Sequence, residues 1–171
     1  VVIGKPTKRL AGEGIGGFVG FGKEIHQLQF KVAISYTSHG NAENNLRNEL
    51  PHWDFYKVKE ESFKAWNAHL GRIHVEGGNE KQRSKFYTDL WHALLGRRIV
   101  SDFSGDYVDL TGKEPRIRKV KLDDKGSPLF PHYNFDALWG SHWSLNILWP
   151  LVYPEITDGF CNTMVDMYKN G

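Results

Sequence analysis

Between residues 15 and 36 apolar side chains recur at every second position. Gly16-Gly17-Phe18-Val19-Gly20-Phe21 leads into Gln27-Leu28-Gln29-Phe30-Lys31-Val32-Ala33-Ile34-Ser35-Tyr36. The second run sets Leu28, Phe30, Val32 and Ile34 on one face, with Gln27, Gln29, Lys31, Ala33 and Ser35 opposite. That alternation predicts a half-buried strand of an antiparallel sheet. The glycines around residues 12–22 mark turns or close backbone approach. From residue 38 the period lengthens. Ala42 and Leu46, four apart, fit a polar helix over 38–50 that Pro51 ends. Phe55, Val58, Phe63, Trp66 and Leu70 recur near helical spacing over 54–70, and Gly71 closes that segment. Arg72-Ile73-His74-Val75-Glu76 alternates as a short strand before a Gly77-Gly78 turn. Asn79 then predicts the N-cap of a helix running to Leu95, with Gly96 at its C-terminal end. Its apolar stripe is Phe86, Leu90, Trp91, Leu94 and Leu95.

Helical periodicity is lost over 99–131. Tyr107–Gly112 and Ile117–Val120 read as strands or extended loop, broken by Gly and Pro. Basic residues cluster from Lys113 to Lys125 and fit a solvated hairpin face, with a phosphate-binding patch as the alternative. Two more helices follow, over 136–148 and 155–169, separated by Pro150 and Pro154. The first carries Leu138, Trp139, Trp143, Leu145, Ile147 and Leu148 almost all round. A helix of that kind is buried on several sides, and the remaining elements are too few to cover it. Its neighbours are therefore expected in sequence outside this chain. The opening Val1-Val2-Ile3 and the closing Lys169-Asn170-Gly171 also read as cuts through a longer polypeptide.

Composition narrows the classes. Hydrophobic residues at 40% and charged residues at 25% exclude wholesale disorder. A formal charge of +2 is too small a surplus to make nucleic acid the default partner. No apolar run is long enough to span a membrane. Six Trp, seven Tyr and ten Phe supply flat faces suited to sugars or protein partners. Cys161 has no intrachain partner and nothing near it suggests an activated thiolate.

Several motifs carry no chemistry. Gly12-Glu13-Gly14-Ile15-Gly16-Gly17 matches the dinucleotide fingerprint, but no strand leads in and no helix leads out. The eight histidines fit no zinc spacing. No nucleophile elbow is present. Two stretches are more informative. Ser101-Asp102-Phe103-Ser104-Gly105-Asp106-Tyr107 is either a turn in which Asp102 accepts backbone N–H bonds, or a loop offering carboxylate and ring to a hydroxylated ligand. Tyr133-Asn134-Phe135-Asp136-Ala137-Leu138-Trp139-Gly140-Ser141-His142-Trp143 gathers rings, amide and carboxylate at a helix mouth. It reads as a sugar-gripping cluster or as a Trp-rich core helix.

Ordered matches over roughly residues 30–171 resemble glycoside hydrolase family 92. They comprise Lys31–Ser38, Asn41–Leu46, Trp66–Ile73, Phe86–Leu95, Ser101-Asp102 with Gly105-Asp106-Tyr107, Ala137-Leu138-Trp139, Leu148–Leu151 and Met164–Tyr168. The resemblance implies an α+β chain: the end of an antiparallel β-sandwich (residues 1–37), a helical linker (38–71) and the first helices of an incomplete (α/α)6 toroid (72–171). It implies a calcium-dependent, inverting exo-α-mannosidase, many members cutting α-1,2 links in mannose-containing glycans, usually exported from bacteria. Inversion needs an acid and a base about 6.5–9.5 Å apart. By the resemblance these groups and the calcium ligands lie further along the polypeptide, so no catalytic or metal-binding residue is assigned. Asp102 and Trp139 carry over as substrate-binding candidates. The chain departs from the family at Gly140, where many members place an Asp that can hold the sugar. A different class stays open beside this one: a non-catalytic carbohydrate-binding or interaction module, which requires Trp139 or Trp143 to be exposed.

Overall fold

The computed structural model of the chain describes residues 13, 16, 20–96, 98–135 and 138–171. The chain divides into two compact units, Val1–Phe30 and Lys31–Gly171. In the first, a turn closes by the Ile25 N–H donating to the Gly22 carbonyl at 3.1 Å. The glycine motif at 12–17 and the strand predicted over 16–21 fall largely outside the described residues.

The second unit holds six helices and one hairpin among its described residues. They are α1 (His39–Glu49), α2 (Phe55–Leu70), α3 (Glu80–Leu95), β1 (Asp106–Asp109), β2 (Arg116–Lys119), α4 (Leu138–Ser141), α5 (Leu145–Val152) and α6 (Pro154–Asn170). Polar caps start the first three where the sequence predicts. The side chains of Ser38, Asp54 and Asn79 accept from Asn41, Lys57 and Gln82 backbone N–H groups. At α3 the Gln82 side chain returns the bond to the Asn79 N–H at 2.9 Å, completing a capping box.

Leu90 of α3 packs with Trp149 of α5 and with Tyr153, which links α5 to α6. Leu70, Ile73, Phe86, Leu94 and Ile156 close around them. Polar bonds fasten this core. The Tyr153 hydroxyl donates to the His69 carbonyl at 3.1 Å. Arg72 pairs with Glu155 at 2.7 Å and lies over the Tyr153 ring. Around the hairpin a second, smaller packing forms. β1 and β2 run antiparallel with Tyr107 opposite Arg118, and Tyr107 and Val120 are buried beneath. Gly159, mid-helix in α6, is required by close approach: a Cβ there would lie 2.8 Å from the Tyr133 ring.

Three expectations change. Residues 27–36 form no ladder among the described residues. From residue 31 to 36 the faces are also reversed: Lys31, Ala33 and Ser35 are half-buried, while Val32, Ile34 and Tyr36 are exposed. Directed polar contacts outweigh the apolar pattern here, because among the described residues no sheet covers Val32 and Ile34. Lys31 donates to the Leu50 carbonyl at 2.6 Å and sits over the Trp53 ring. Residues 72–76 form no strand either. Finally, the predicted single helix over 136–148 is two pieces, α4 and α5, with Asp136 and Ala137 outside the described residues. α5 continues through Pro150 to Val152, since a proline forfeits only the bond its own N–H would make and the ring clash can be relieved by bending. The helix is not enclosed: Trp139 is 82% and Trp143 73% exposed, whereas Trp149 is buried.

Candidate functional site

Asp102 lies in the turn after α3, where Gly105 takes a φ of +83° that other residues rarely adopt. The turn is closed locally. The Asp102 N–H donates to the Asp106 carbonyl and the Gly105 N–H to the Asp102 carbonyl, each at 2.8 Å. The carboxylate is buried and points at the start of α1. It accepts from the Ser35 hydroxyl at 2.9 Å, from the Thr37 hydroxyl, and from the Asn45 amide at 2.8 Å. Asn45 is itself buried, and its amide oxygen accepts the Phe103 N–H at 2.9 Å. One carboxylate and one amide thus fasten residues 34–45 to the turn.

Asp106 extends the network. It accepts from Asn41 at 3.0 Å and Ser104 at 2.7 Å, and pairs with Lys119 of β2 at 2.9 Å. Burial raises the Asp106 carboxyl, but the bonds from Lys119, Ser104 and Asn41 outweigh it and hold the group below the ordinary carboxylate range. Asp109 at the end of β1 is held more firmly. Burial opposes its charge, yet the side chain and N–H of Thr111, with Arg118 at 2.7 Å and Arg116 at 3.0 Å, keep it well below that range.

Trp139 stands in a different setting, on the short helix α4. Its ring lies 5.4 Å from that of His142, which is 4.6 Å from the Trp143 ring. The His142 Nδ1 meets the Trp139 carbonyl at 2.5 Å, which restrains the imidazole beside both indoles. Nothing lies within 4 Å of where a Gly140 Cβ would stand, so the surface beside these rings is open. Rings displayed in this way can stack on the apolar face of a pyranose.

No hydrogen bond or ring contact joins Asp102 to Trp139 among the described residues. The sequence brought both forward. It did not single out Asn45, Ser35 or Thr37, whose signal was the recurrence of Asn41, Asn45 and Asn48 on a helix otherwise poor in apolar residues. A separate cavity of about 530 Å3, lined by Tyr36, Val108, His132, Tyr133, Phe135 and Met167 among others, is mostly apolar. Among the described residues no three His, Cys, Asp or Glu side chains gather as a calcium ion would require. The oxygens of Asp102 and Asp109 already accept bonds from their neighbours, so these two carboxylates do not fit a calcium site.

Comparison with known proteins follows this geometry. The family model described as "Glycosyl hydrolase family 92 catalytic domain" matches residues 41–171. Over 93 residues the chain is 29% identical to an uncharacterized secreted glycosidase of Arthroderma benhamiae, covering 52% of this chain and 12% of that protein. Its fold is similar to that of a solved family GH92 inverting mannosidase from Bacteroides thetaiotaomicron. That match has a TM-score of 0.65 at 23% identity and covers 79% of this chain and 17% of the other. The chain therefore spans less than a fifth of the length of these relatives.

Proposed function

Since the chain belongs to glycosyl hydrolase family 92, we propose that it forms part of a glycoside hydrolase that removes terminal α-linked mannose, α-1,2-linked in the first instance, from glycans. The observation that carries this reading is the family match running unbroken from α1 to the end of α6. The shared fold with an inverting mannosidase supports the sugar and the stereochemistry. We read residues 1–37 as the end of a β-sandwich, 38–71 as the linker and 72–171 as the entry to the helical toroid. The exposed apolar row Val32, Ile34 and Tyr36 and the outward indoles support it, because among the described residues nothing covers either face. Export is supported by the name of the fungal relative, a secreted glycosidase. No helix among the described residues is long and apolar enough to cross a membrane.

Within this reading Trp139 stacks on the sugar. Asp102, the other candidate, contributes by holding the turn that carries Phe103 and Ser104. The acid and base of inversion, and any calcium ligands, are supplied by residues beyond these. Turnover of α-1,2-mannobiose by the full-length polypeptide, with anomeric protons followed by NMR, is the test. Release of β-mannose, abolished by chelator and restored by calcium, is expected. No turnover of any α-mannoside overturns the activity; α-mannose as first product overturns inversion; indifference to chelator overturns the calcium requirement.

The exposure of Trp139 and Trp143 equally favours a second reading, a non-catalytic carbohydrate-binding module. Tryptophan fluorescence titrated with mannobiose separates the two: saturable quenching without any hydrolysis supports the module.

A further inference from the structure

His132 follows no spacing that marks a ligand, yet three elements converge on it. Its backbone is fixed by the N–H donating to the Ser101 hydroxyl at 3.0 Å and by the carbonyl accepting the Val100 N–H at 2.8 Å. The residue is 6% exposed. Its ring lies flat on that of Tyr107, with centroids 3.8 Å apart and planes at 12°. The Tyr107 hydroxyl donates to Asp166 of α6 and accepts from the Asn170 amide at 3.1 Å. Through that hydroxyl the hairpin is joined to the last turns of the helix.

The imidazole has no matching partner of its own. Its Nδ1 is buried with no hydrogen bond. The ring also borders the 530 Å3 cavity, together with Asn134 and Met167, so space exists for it to turn. The charged groups whose fields reach it are Asp166 from α6 and Asp109 from β1; the phenols near it are Tyr107, on which it stacks, the adjacent Tyr133, and Tyr36 across the cavity. Asp109 is already held by the guanidinium groups of Arg116 and Arg118. Asp166 has the phenol's hydrogen bond and no ion pair among the described residues.

We propose that His132 is an acid-sensitive latch between the hairpin and α6. As a neutral ring it is a flat spacer on Tyr107, and the phenol keeps Asp166. Once it takes a proton from solvent at Nδ1, the imidazolium competes for the Asp166 carboxylate. Tyr107 then loses its acceptor, and the end of α6 loosens from the hairpin.

The direction follows from what surrounds the ring. Burial opposes the charged form, and the fields of Asp166 and Asp109 restore only part of the loss, so protonation waits until below the ordinary histidine value. A group with a lowered folded pKa contributes stability above its unfolded value, about 6.5. That contribution is lost as pH falls from there through the folded value, by up to about tenfold in the opening equilibrium per pH unit.

The test uses the full-length polypeptide that contains this chain. Exchange of the His132 ring C–H, followed by mass spectrometry against pH, gives its titration midpoint; a midpoint below 6.5 is expected. Amide exchange of peptides covering residues 160–171, corrected for intrinsic rates, should lose protection by up to about tenfold per pH unit as pH falls from about 6.5 to that midpoint, and level off below it. In His132→Phe, which keeps the stacked ring but takes no proton, protection should stay level. A midpoint at or above 6.5, or the same slope in wild type and His132→Phe, overturns the latch. Should His132→Phe not fold, Asp166→Asn decides: removal of the carboxylate should move the His132 midpoint to lower pH, and an unmoved midpoint overturns the proposal.

Discussion

The corner between the hairpin and α6 and the stretch formed by α4 and α5 are both aromatic, yet they solve opposite problems. At the corner Tyr107, His132 and Tyr133 are buried, and each is tied to a polar group close by. Along α4, α5 and the link between them Trp139, Trp143, Ile147 and Leu151 face outward, while Trp149 is buried in the core with Leu145, Leu148 and Val152 packed beside it. The first region is enclosed by groups of this chain, apart from the cavity that His132 borders. In the second, the described residues leave the same kind of surface uncovered. Aromatic content alone therefore says little about stability; what matters is whether the chain supplies the other side of the contact.

Substitutions that strip buried contacts should separate the two regions most sharply. Tyr153→Ala removes a ring with no exposed surface and its bond to His69, and should cost about 3–5 kcal/mol in chemical denaturation. A loss under about 1 kcal/mol would show that the core around Leu90 is not as closed as the geometry says. Asp109→Ala leaves Arg116 and Arg118 without their shared carboxylate. The expected loss is about 2–3 kcal/mol, below that of a deep pair because both arginines reach solvent. Its pH dependence has a definite sign. The carboxyl is held well below its ordinary range, so its contribution is complete above about pH 4 and fades only as pH falls further. Wild type and variant should converge in stability only in strong acid.

Asn45→Ala removes two amide bonds and leaves the Phe103 N–H without its acceptor. The loss should be about 1–3 kcal/mol, with faster amide exchange over residues 101–106. On the displayed side the effects should be smallest on stability. Trp139→Ala and Gly140→Asp should each stay within about 0.5 kcal/mol of wild type, the latter because nothing lies within 4 Å of the new Cβ. Under the mannosidase reading Trp139→Ala should still raise KM for mannobiose roughly 3- to 10-fold, as one lost ring–sugar contact would. Unchanged KM would remove Trp139 from the sugar site.

Much of the helical frame was legible in advance. Ser38, Asp54 and Asn79 are short polar side chains placed just before helical runs, and capping is a local interaction that the neighbouring residues decide. The same locality made the Gly77-Gly78 turn readable, both glycines having positive φ. Register and facing were not legible. The alternation of residues 27–36 is compatible with either face inward, and the choice fell to Lys31 and Ser35, whose partners lie at Leu50 and Asp102. Nor could spacing show that Asp102 would be enclosed by Ser35, Thr37 and Asn45. Those residues sit 57 or more positions away, and only folding brings them together.

What the amino-acid order determined by itself was therefore local: where helices begin, which segments turn, and that the tryptophan-rich stretch carries apolar side chains almost all round. Tertiary structure alone decided which carboxylates are enclosed, which rings are displayed and which histidines bury a ring nitrogen without a hydrogen bond. The physical reason is range. Caps, turns and periodicity act over three or four residues, whereas burial and electrostatic environment are set by groups that are distant in sequence and adjacent only in space.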